Sequence, residues 1–350
     1  MIIKTKELFN MHDVKFTAVL AGCGGISKTW LDAIKALDDL TIVGLADLNP
    51  AAAEARKQEF ALPAAVSTSL EELLEHHRPD VVLDCTVPDA HCATTLTALR
   101  YGCHVLGEKP MAPGMKEAGM MVAAAAAAGK IYAVVQNRRY LDSIVNFRDL
   151  LRSGELGSLS TLNADFYLAP RFGGFREEMD HVLLLDMAIH SFDQARFISG
   201  ADPVTVYCHE FNPAGSWYRH GAAAMAIFTM SDGSVFNYRG SWCAPGLPTS
   251  WQCDWRACCS AGTARWDGDD ELHAEKVSGN EGFFHPVAKV AVPENKLLYT
   301  GHAGVIREFL DCLKHGSQPQ TVCTDNLKSL AMVHAAIASA GQHAVVNLEF

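Results

Sequence analysis

The sequence predicts an α/β fold: an amino-terminal, doubly wound parallel sheet, followed by an α+β domain with a large, predominantly antiparallel sheet. Six short apolar segments alternate with helical patterns between residues 15 and 136, and strands and helices in that order build a doubly wound sheet. The runs Val81-Val82-Leu83 and Ala133-Val134-Val135 are apolar without alternation, as strands covered on both faces are. After about residue 140 the grammar changes, and strand signals dominate from Leu159 to Trp266. The expected domains are therefore 1–137 and 138–350.

Each element has its own signal. Lys15 to Ala21 reads as a strand and Gly25 to Leu37 as a helix. Thr41 to Ala46 is a strand, and the next helix opens at Asn49-Pro50, where asparagine caps and proline occupies the first turn. Ser69 and Glu72 have capping-box spacing ahead of Leu70, Leu73 and Leu74. Val81 to Cys85 is a strand, then Pro88 to Tyr101 a helix closed by Gly102. Cys103 to Gly107 is a strand, Met115 to Ala128 a helix ended by Gly129, and Ile131 to Gln136 the sixth strand. In the second domain, Ala222 to Met230 and Val235 to Trp242 flank Ser231-Asp232-Gly233-Ser234 as a hairpin. Trp251, Cys253, Trp255, Ala257 and Cys259 alternate with polar residues, which predicts a half-buried strand. Helices near Gly304–His315 and Thr324–Ala340 close the chain.

The bulk numbers narrow the function. A chain of 350 residues with 49% apolar and 20% charged residues is a globular protein of about two domains. Its net charge is −11 and no basic cluster offsets it, so neither nucleic acid nor an anionic membrane is expected as a partner. The first residues, MIIKTKELFNMHD, lack the apolar core of an export signal. No apolar run reaches the ~18 residues of a membrane span. Most of the eleven cysteines, including Cys85, Cys92, Cys103, Cys208 and Cys312, sit in apolar patterns, with no C-x-x-C pair. They read as reduced thiols of a cytoplasmic protein.

Gly22-Cys23-Gly24-Gly25-Ile26-Ser27 follows the first strand and opens the first helix, the context a dinucleotide-binding glycine turn requires. Gly22 allows the tight turn, and Gly24 lets the backbone approach a pyrophosphate seated on the helix N-terminus. Ser27 stands where the third glycine is usual, and its small size is expected to be tolerated. Asp47 ends the second strand, 23 residues after Gly24, close to the usual spacing of about 20. A carboxylate there accepts the ribose hydroxyls and repels a 2′-phosphate, which favours NAD over NADP.

Leu106-Gly107-Glu108-Lys109-Pro110 places a lysine at the carboxyl edge of the fifth strand, where ligands of open α/β sheets bind. In Asp186-Met187-Ala188-Ile189-His190-Ser191-Phe192-Asp193, Asp186 and His190 are four apart and share a helical face. Histidine there can take a hydroxyl proton as hydride leaves the same carbon. Val182 to Leu185, Ile189 and Phe192 are expected to shield the site partly from water. Asp186, Asp193 and Lys109 argue against a plain core histidine, since three ionisable groups would need burial. His181, Asp186 and His190 have side chains that can ligate a metal, but a nearby lysine would repel the ion, so no metal is expected.

With Glu108-Lys109-Pro110 after a nucleotide fold, the chain resembles the glucose–fructose oxidoreductase / inositol dehydrogenase / rhizopine-catabolism (Gfo/Idh/MocA) family along essentially its whole length. Thr86-Val87-Pro88 with His91, Asn137-Arg138-Arg139-Tyr140, Gly154-Glu155-Leu156-Gly157 and the Asp186–Asp193 segment carry that resemblance. It departs at Ala188, where the family has glycine, and at Asp180-His181-Val182-Leu183, which replaces a glycine run. The resemblance implies a Rossmann domain that binds the nucleotide through Gly22, Gly24, Gly25, Ile26, Asp47, Thr86, Pro88, His91, Glu108 and Lys109. Glu108 then lies near the nicotinamide ribose, and the Lys109–Pro110 bond is often cis. Catalysis falls to Lys109, Asp186 and His190, and the substrate, a sugar, sugar derivative or cyclitol, meets Lys109, Asn137, Tyr167, Asp186 and His190. Tyr167, Phe172 or Trp242 can offer an aromatic face to ring carbons. Thr324-Asp325-Asn326 opens a closing helix read as structural. The alternatives are an NADP(H)-dependent keto-sugar or diol reductase and a non-catalytic nucleotide-responsive regulator. The family's use of its second sheet implies a homo-oligomer, dimer or tetramer. The sequence leaves open the sugar, the direction and the carbon oxidised.

Overall fold

The computed structural model describes residues 14–350; the segment read above for an export signal lies outside them. Two compact units result, and they are not two contiguous stretches. The first takes the chain to Ala112, Gly119–Val135 and Val305–Cys323; the second takes Pro113–Ala118, Gln136–Gly304 and Thr324–Phe350. A charge clamp explains why a late segment returns to the first unit rather than following a single cut near residue 137. Asp39, buried at 6% exposure, accepts Arg307 Nη1 at 2.9 Å and Lys314 Nζ at 2.5 Å.

The first unit is a six-stranded sheet of β1 (Phe16–Ala21), β2 (Leu40–Ala46), β3 (Ala65–Ser67), β4 (Val81–Asp84), β5 (His104–Gly107) and β6 (Tyr132–Val134). Its order is β3-β2-β1-β4-β5-β6, and every pairing is parallel. Strand order reverses between β1 and β4, the switch point where such sheets bind ligands. Helices α1 (Gly25–Ile34), α2 (Pro50–Glu59), α3 (Leu70–His77), α4 (Pro88–Arg100) and α5 (Met115–Ala128) alternate with the strands. The local signals act as read, with one change. Asn49 Oδ1 caps α2 by accepting from Ala51 N–H. At α3, Ser69 Oγ accepts from Glu72 N–H at 3.2 Å, but the Glu72 carboxylate accepts from Ser67 Oγ, which in turn accepts from Ser69 N–H. The capping box is therefore relayed through a third residue.

The second unit opens with a 3₁₀ turn at Asn137–Tyr140 and α6 (Asp142–Arg152), then β7 (Leu159–Tyr167) and a one-turn α7 (Phe175–Glu178). A π-helical stretch, Leu183–Ala188, runs directly into α8 (Ile189–Ser199). The remaining strands are β8 (Pro203–Phe211), β9 (Ala223–Met230), β10 (Val235–Ser241), β11 (Asp254–Cys259), β12 (Gly262–Trp266), β13 (Leu272–Val277), β14 (Val287–Lys289) and β15 (Val346–Asn347). Helices α9 (Gly301–His315) and α10 (Cys323–Gln342) precede β15. The nine strands run β14-β13-β12-β11-β7-β10-β9-β8-β15, antiparallel except for the β7–β10 pair. Alternation sorts the two faces: Leu162, Ala164, Phe166, Phe236, Tyr238 and Phe228 are buried, while Asp165, Arg239, Asp254 and Arg265 form ion pairs on the other face.

One strand starts later than its alternation predicts. Cys253 has φ of +70° and closes a turn from Ser250, so β11 begins at Asp254 and Trp251 is not part of it. Trp255 and Ala257 keep the inward face, and Trp251 is 46% exposed. The hairpin at Ser231–Ser234 forms as read, with Gly233 at φ +83°.

A buried ion network organises the second unit. Arg139 donates Nε to Asp193 Oδ2 at 2.7 Å and Nη2 to Asp193 Oδ1 at 2.6 Å, and also reaches Asp325 at 2.8 Å. Ser329 Oγ donates to Asp193, and Arg196 bridges Asp325 to Asp202. Burial opposes the charge on Arg139, but Asp193 and Asp325 overcome it and raise its pKa. The burial of Asp193 is thus satisfied by Arg139 and Ser329, so its place three residues from His190 is structural and is no evidence for catalysis. Removing one member of a buried pair strands the other, so Arg139→Ala is expected to lose about 3–5 kcal/mol of stability. Denaturant unfolding checks this, and an unchanged midpoint would overturn the assignment.

Candidate active site

The candidate residues fall into two groups, one in each unit. In the first unit, the turn after β1 is shaped by backbone contact. Gly22 has φ +87°, and a Cβ there would lie 2.5 Å from the Cys85 carbonyl oxygen. The turns after β1 and β4 therefore abut, and only glycine fits between them. A Cβ on Gly24 or Gly25 would meet nothing within 4 Å, and α1 starts without a side-chain cap. An uncapped helix start of this kind suits an anion. A cavity of about 370 Å³ opens there, lined by Gly22, Gly24, Asp47, Leu48, Thr86 and Val87. An open glycine turn, an uncapped helix start and a carboxylate at the end of β2 fit a dinucleotide.

Asp47 is held rigid, Oδ2 accepting from Cys23 N–H at 2.7 Å and Oδ1 from Asn49 N–H at 2.8 Å. Ser27 does more than stay small. Its hydroxyl donates to Gly24 O at 2.6 Å and accepts from Arg56 Nε at 3.0 Å, while Arg56 also reaches Gly24 O and Glu59. Arg56 enters this cluster from α2, nine positions beyond Asp47, with no sequence signal that points to it.

At the end of β5, Glu108 is buried; its Oε1 accepts from Trp30 Nε1 at 2.7 Å and its Oε2 from Lys109 N–H at 3.1 Å. The Lys109–Pro110 peptide is cis, as the resemblance implied. Thr86 donates its amide and hydroxyl to Asp84, at 3.0 and 2.6 Å. Pro88 is the first residue of α4. His91, 2% exposed, sets Nδ1 2.8 Å from Pro110 O and Nε2 3.0 Å from Thr86 O. Both its nitrogens meet backbone carbonyls, so the ring offers none to a cofactor oxygen.

In the second unit, Asp186 lies in the π-helical stretch and His190 in the first turn of α8. Single-turn π-helices recur at functional sites. His190 is 8% exposed; in the same stretch Val182, Leu183, Leu184, Ile189 and Phe192 are buried and Leu185 is half-buried. The Asp186 carboxylate accepts from Arg176 Nε at 2.8 Å. Arg138 reaches the same stretch, one nitrogen 3.2 Å from Met187 Sδ and another on Trp251 O. Burial lowers its pKa to about 10. Sequence reasoning missed both arginines as site residues, because ten residues separate Arg176 from Asp186 with no periodicity to link them.

Asn137 begins the 3₁₀ turn, and Tyr167 ends β7 with its backbone on Thr249. Trp242 is not a free face. It is 2% exposed and packed edge-on by Phe166 and Phe172 at 5.5 and 5.4 Å. Phe172 and Trp251, each 46% exposed, and Phe175, at 67%, are open to solvent.

Two segments of the chain match one family. Residues 16–136 match GFO_IDH_MocA, the oxidoreductase family with an NAD-binding Rossmann fold, and residues 144–265 match its C-terminal domain. The chain belongs to this family. D-apiose dehydrogenase of Paraburkholderia graminis is 28% identical over 351 residues, covering 96% of this chain and 90% of that one. D-glucoside 3-dehydrogenase of Escherichia coli is 30% identical over 185 residues, 51% and 52% of the two chains. An Agrobacterium radiobacter oxidoreductase, solved with NAD+, L-tartaric acid and magnesium, shares the fold at a TM-score of 0.85 and 20% identity, over 95% of this chain and 98% of that one.

For this Gfo/Idh/MocA chain, the glycine turn yields a direct test. Gly22→Ala adds a Cβ at a strained φ and against a carbonyl; strain of this kind runs to about 1–3 kcal/mol. NAD affinity, followed by fluorescence titration, is expected to fall about tenfold or more. Unchanged affinity and melting temperature would contradict the cradle.

Proposed function

We propose that the protein is an NAD-dependent dehydrogenase that oxidises a secondary hydroxyl of a sugar, sugar derivative or cyclitol. One observation carries this reading: Lys109 stands at the carboxyl end of β5, in the sheet whose β1 turn is shaped for a dinucleotide. The sugar dehydrogenases among its relatives support the substrate class.

Bound NAD would accept the hydride released from the carbinol carbon. His190 takes the hydroxyl proton, which leaves the carbonyl product without a stranded charge. Lys109 stabilises the oxygen as negative charge develops on it. Asp186, fixed by Arg176, orients the base or holds a neighbouring hydroxyl. Glu108 is anchored by Trp30 and by the Lys109 amide, and it steadies the turn that carries the lysine. Asn137 and Tyr167 line the sugar side. NAD is favoured over NADP because the Asp47 carboxylate, already fixed by two amides, repels a 2′-phosphate. Arg56 does not neutralise that preference, since its guanidinium is engaged by Ser27, Gly24 and Glu59. None of the eleven cysteines is joined in a disulfide, in keeping with a cytoplasmic enzyme. The outward face of the nine-stranded sheet, with Met225 and Ile227 about half exposed, is the contact of a homodimer or tetramer.

A panel of polyols and aldoses, followed by absorbance of reduced cofactor, tests the reading. Turnover is expected with NAD at least about tenfold better in kcat/KM than with NADP, a difference of ~1.4 kcal/mol. Lys109→Ala and His190→Ala should each lower kcat about 100-fold or more while NAD still binds. If both groups serve one transition state, the double variant loses less than the product of the single losses. Near-native turnover in either single variant would remove that residue from the mechanism. Light scattering at micromolar concentration is expected to show a dimer or tetramer; a monomer would refute the proposed contact.

A further inference from the structure

We propose that His91 is held as an imidazolium and is the positioning residue for the turn that presents Lys109. The inference rests on hydrogen-bond chemistry. A neutral imidazole has one N–H and one lone pair, and the imidazolium has two N–H groups. Both ring nitrogens of His91 face backbone carbonyl oxygens, Pro110 O at 2.8 Å and Thr86 O at 3.0 Å. A carbonyl oxygen only accepts. Either neutral tautomer would press a nitrogen lone pair against an oxygen lone pair, with no water to intervene at 2% exposure. Only the doubly protonated ring satisfies both contacts.

The surroundings supply the opposing charge. Asp84 is wholly buried at the end of β4; its Oδ1 accepts from Thr86, and its carboxyl is pushed above the usual range by burial, an effect the charge of His91 counters. Glu108, also buried, is the second carboxyl of this cluster. A buried cation beside the Asp84 carboxyl is more stable than a buried cation alone.

The consequence is mechanical. His91 projects from the first turn of α4 and joins two strand-end turns, the one after β4 at Thr86 and the one after β5 at Pro110. The second turn carries Lys109 immediately before the bonded residue. Charge-assisted hydrogen bonds are stronger than neutral ones, so the clamp fixes the backbone that aims the lysine without touching the reacting atoms. This goes beyond the proposed dehydrogenase chemistry, resting on it only for the role of Lys109.

Two measurements test it. In full-length protein labelled with ¹⁵N-histidine, a two-bond ¹H–¹⁵N correlation spectrum is recorded at about pH 8, where an ordinary imidazole of pKa about 6.5 is neutral. Both His91 nitrogens are expected to show the protonated signature, with the assignment made from the peak lost in His91→Gln. A lone-pair signature on either nitrogen overturns the proposal. This outcome does not depend on any substrate, so failure of the dehydrogenase reading would leave it decisive.

The second measurement compares two partial replacements. The amide nitrogen of asparagine lies near the place of Nδ1, and that of glutamine near the place of Nε2. His91→Asn therefore keeps the bond to Pro110 and is expected to hold kcat within about threefold of wild type. His91→Gln keeps only the bond to Thr86 and is expected to lose about tenfold or more in kcat, the scale of one charged hydrogen bond. NAD affinity should change less than about twofold in both. Equal kcat losses in the two variants, or a loss of NAD affinity with kcat unchanged, would refute the positioning role.

Discussion

Arg139 and its two carboxylate partners hold the second unit in register. The guanidinium forks onto Asp193 of α8 and reaches Asp325 of α10, while the residue itself belongs to the 3₁₀ turn that opens the unit. Three elements distant in sequence thus meet at one buried charge. Such a pair is strongly destabilising to break and geometrically exacting to make. Helix α8 is buried along its length from Ile189 to Ile198, so the network also fixes the rotation of the helix that carries His190. The π-helical stretch ahead of it, with Asp186, inherits that orientation.

The first unit uses a different constraint, backbone against backbone. At the switch point the turns after β1 and β4 approach so closely that a single methyl group would collide. That contact leaves the start of α1 open and places Asp47 where two amides can grip it. The same economy recurs at each buried or half-buried carboxyl. Asp47, Asp84, Glu108 and Asp186 all accept hydrogen bonds from neighbours within their own unit. Polar groups immobilised before a ligand arrives need little reorganisation when charge develops beside them, which is the physical basis of selectivity and rate in a site of this kind.

Much of the first unit was legible because its signals are local. Glycine where φ is positive, proline in a first helical turn and unbroken valine runs each act through neighbours a few residues away, and α4, α5 and the hairpin at Ser231–Ser234 follow from them. The nucleotide turn and the strand-end lysine belong to the same class. What escaped was long-range or conformational. Alternation alone extended β11 back to Trp251, since periodicity carries no record of the left-handed backbone at Cys253. Asp193 looked like part of a reactive cluster because its arginine lies 54 residues away. Arg56, Arg138 and Arg176 reach their sites through folding that no spacing rule anticipates.

The sequence by itself determined the class of fold, the glycine turn, the carboxylate after β2, and the lysine and histidine on which the proposed chemistry depends. Tertiary structure alone decided which partners hold the buried charges. It assigned Asp193 to Arg139, Asp186 to Arg176, and both nitrogens of His91 to backbone carbonyls. The physical reason is one of range. Backbone conformation answers to adjacent residues and can be read in order along the chain, whereas the state of an ionisable group is set by whatever burial and partners the completed fold brings to it.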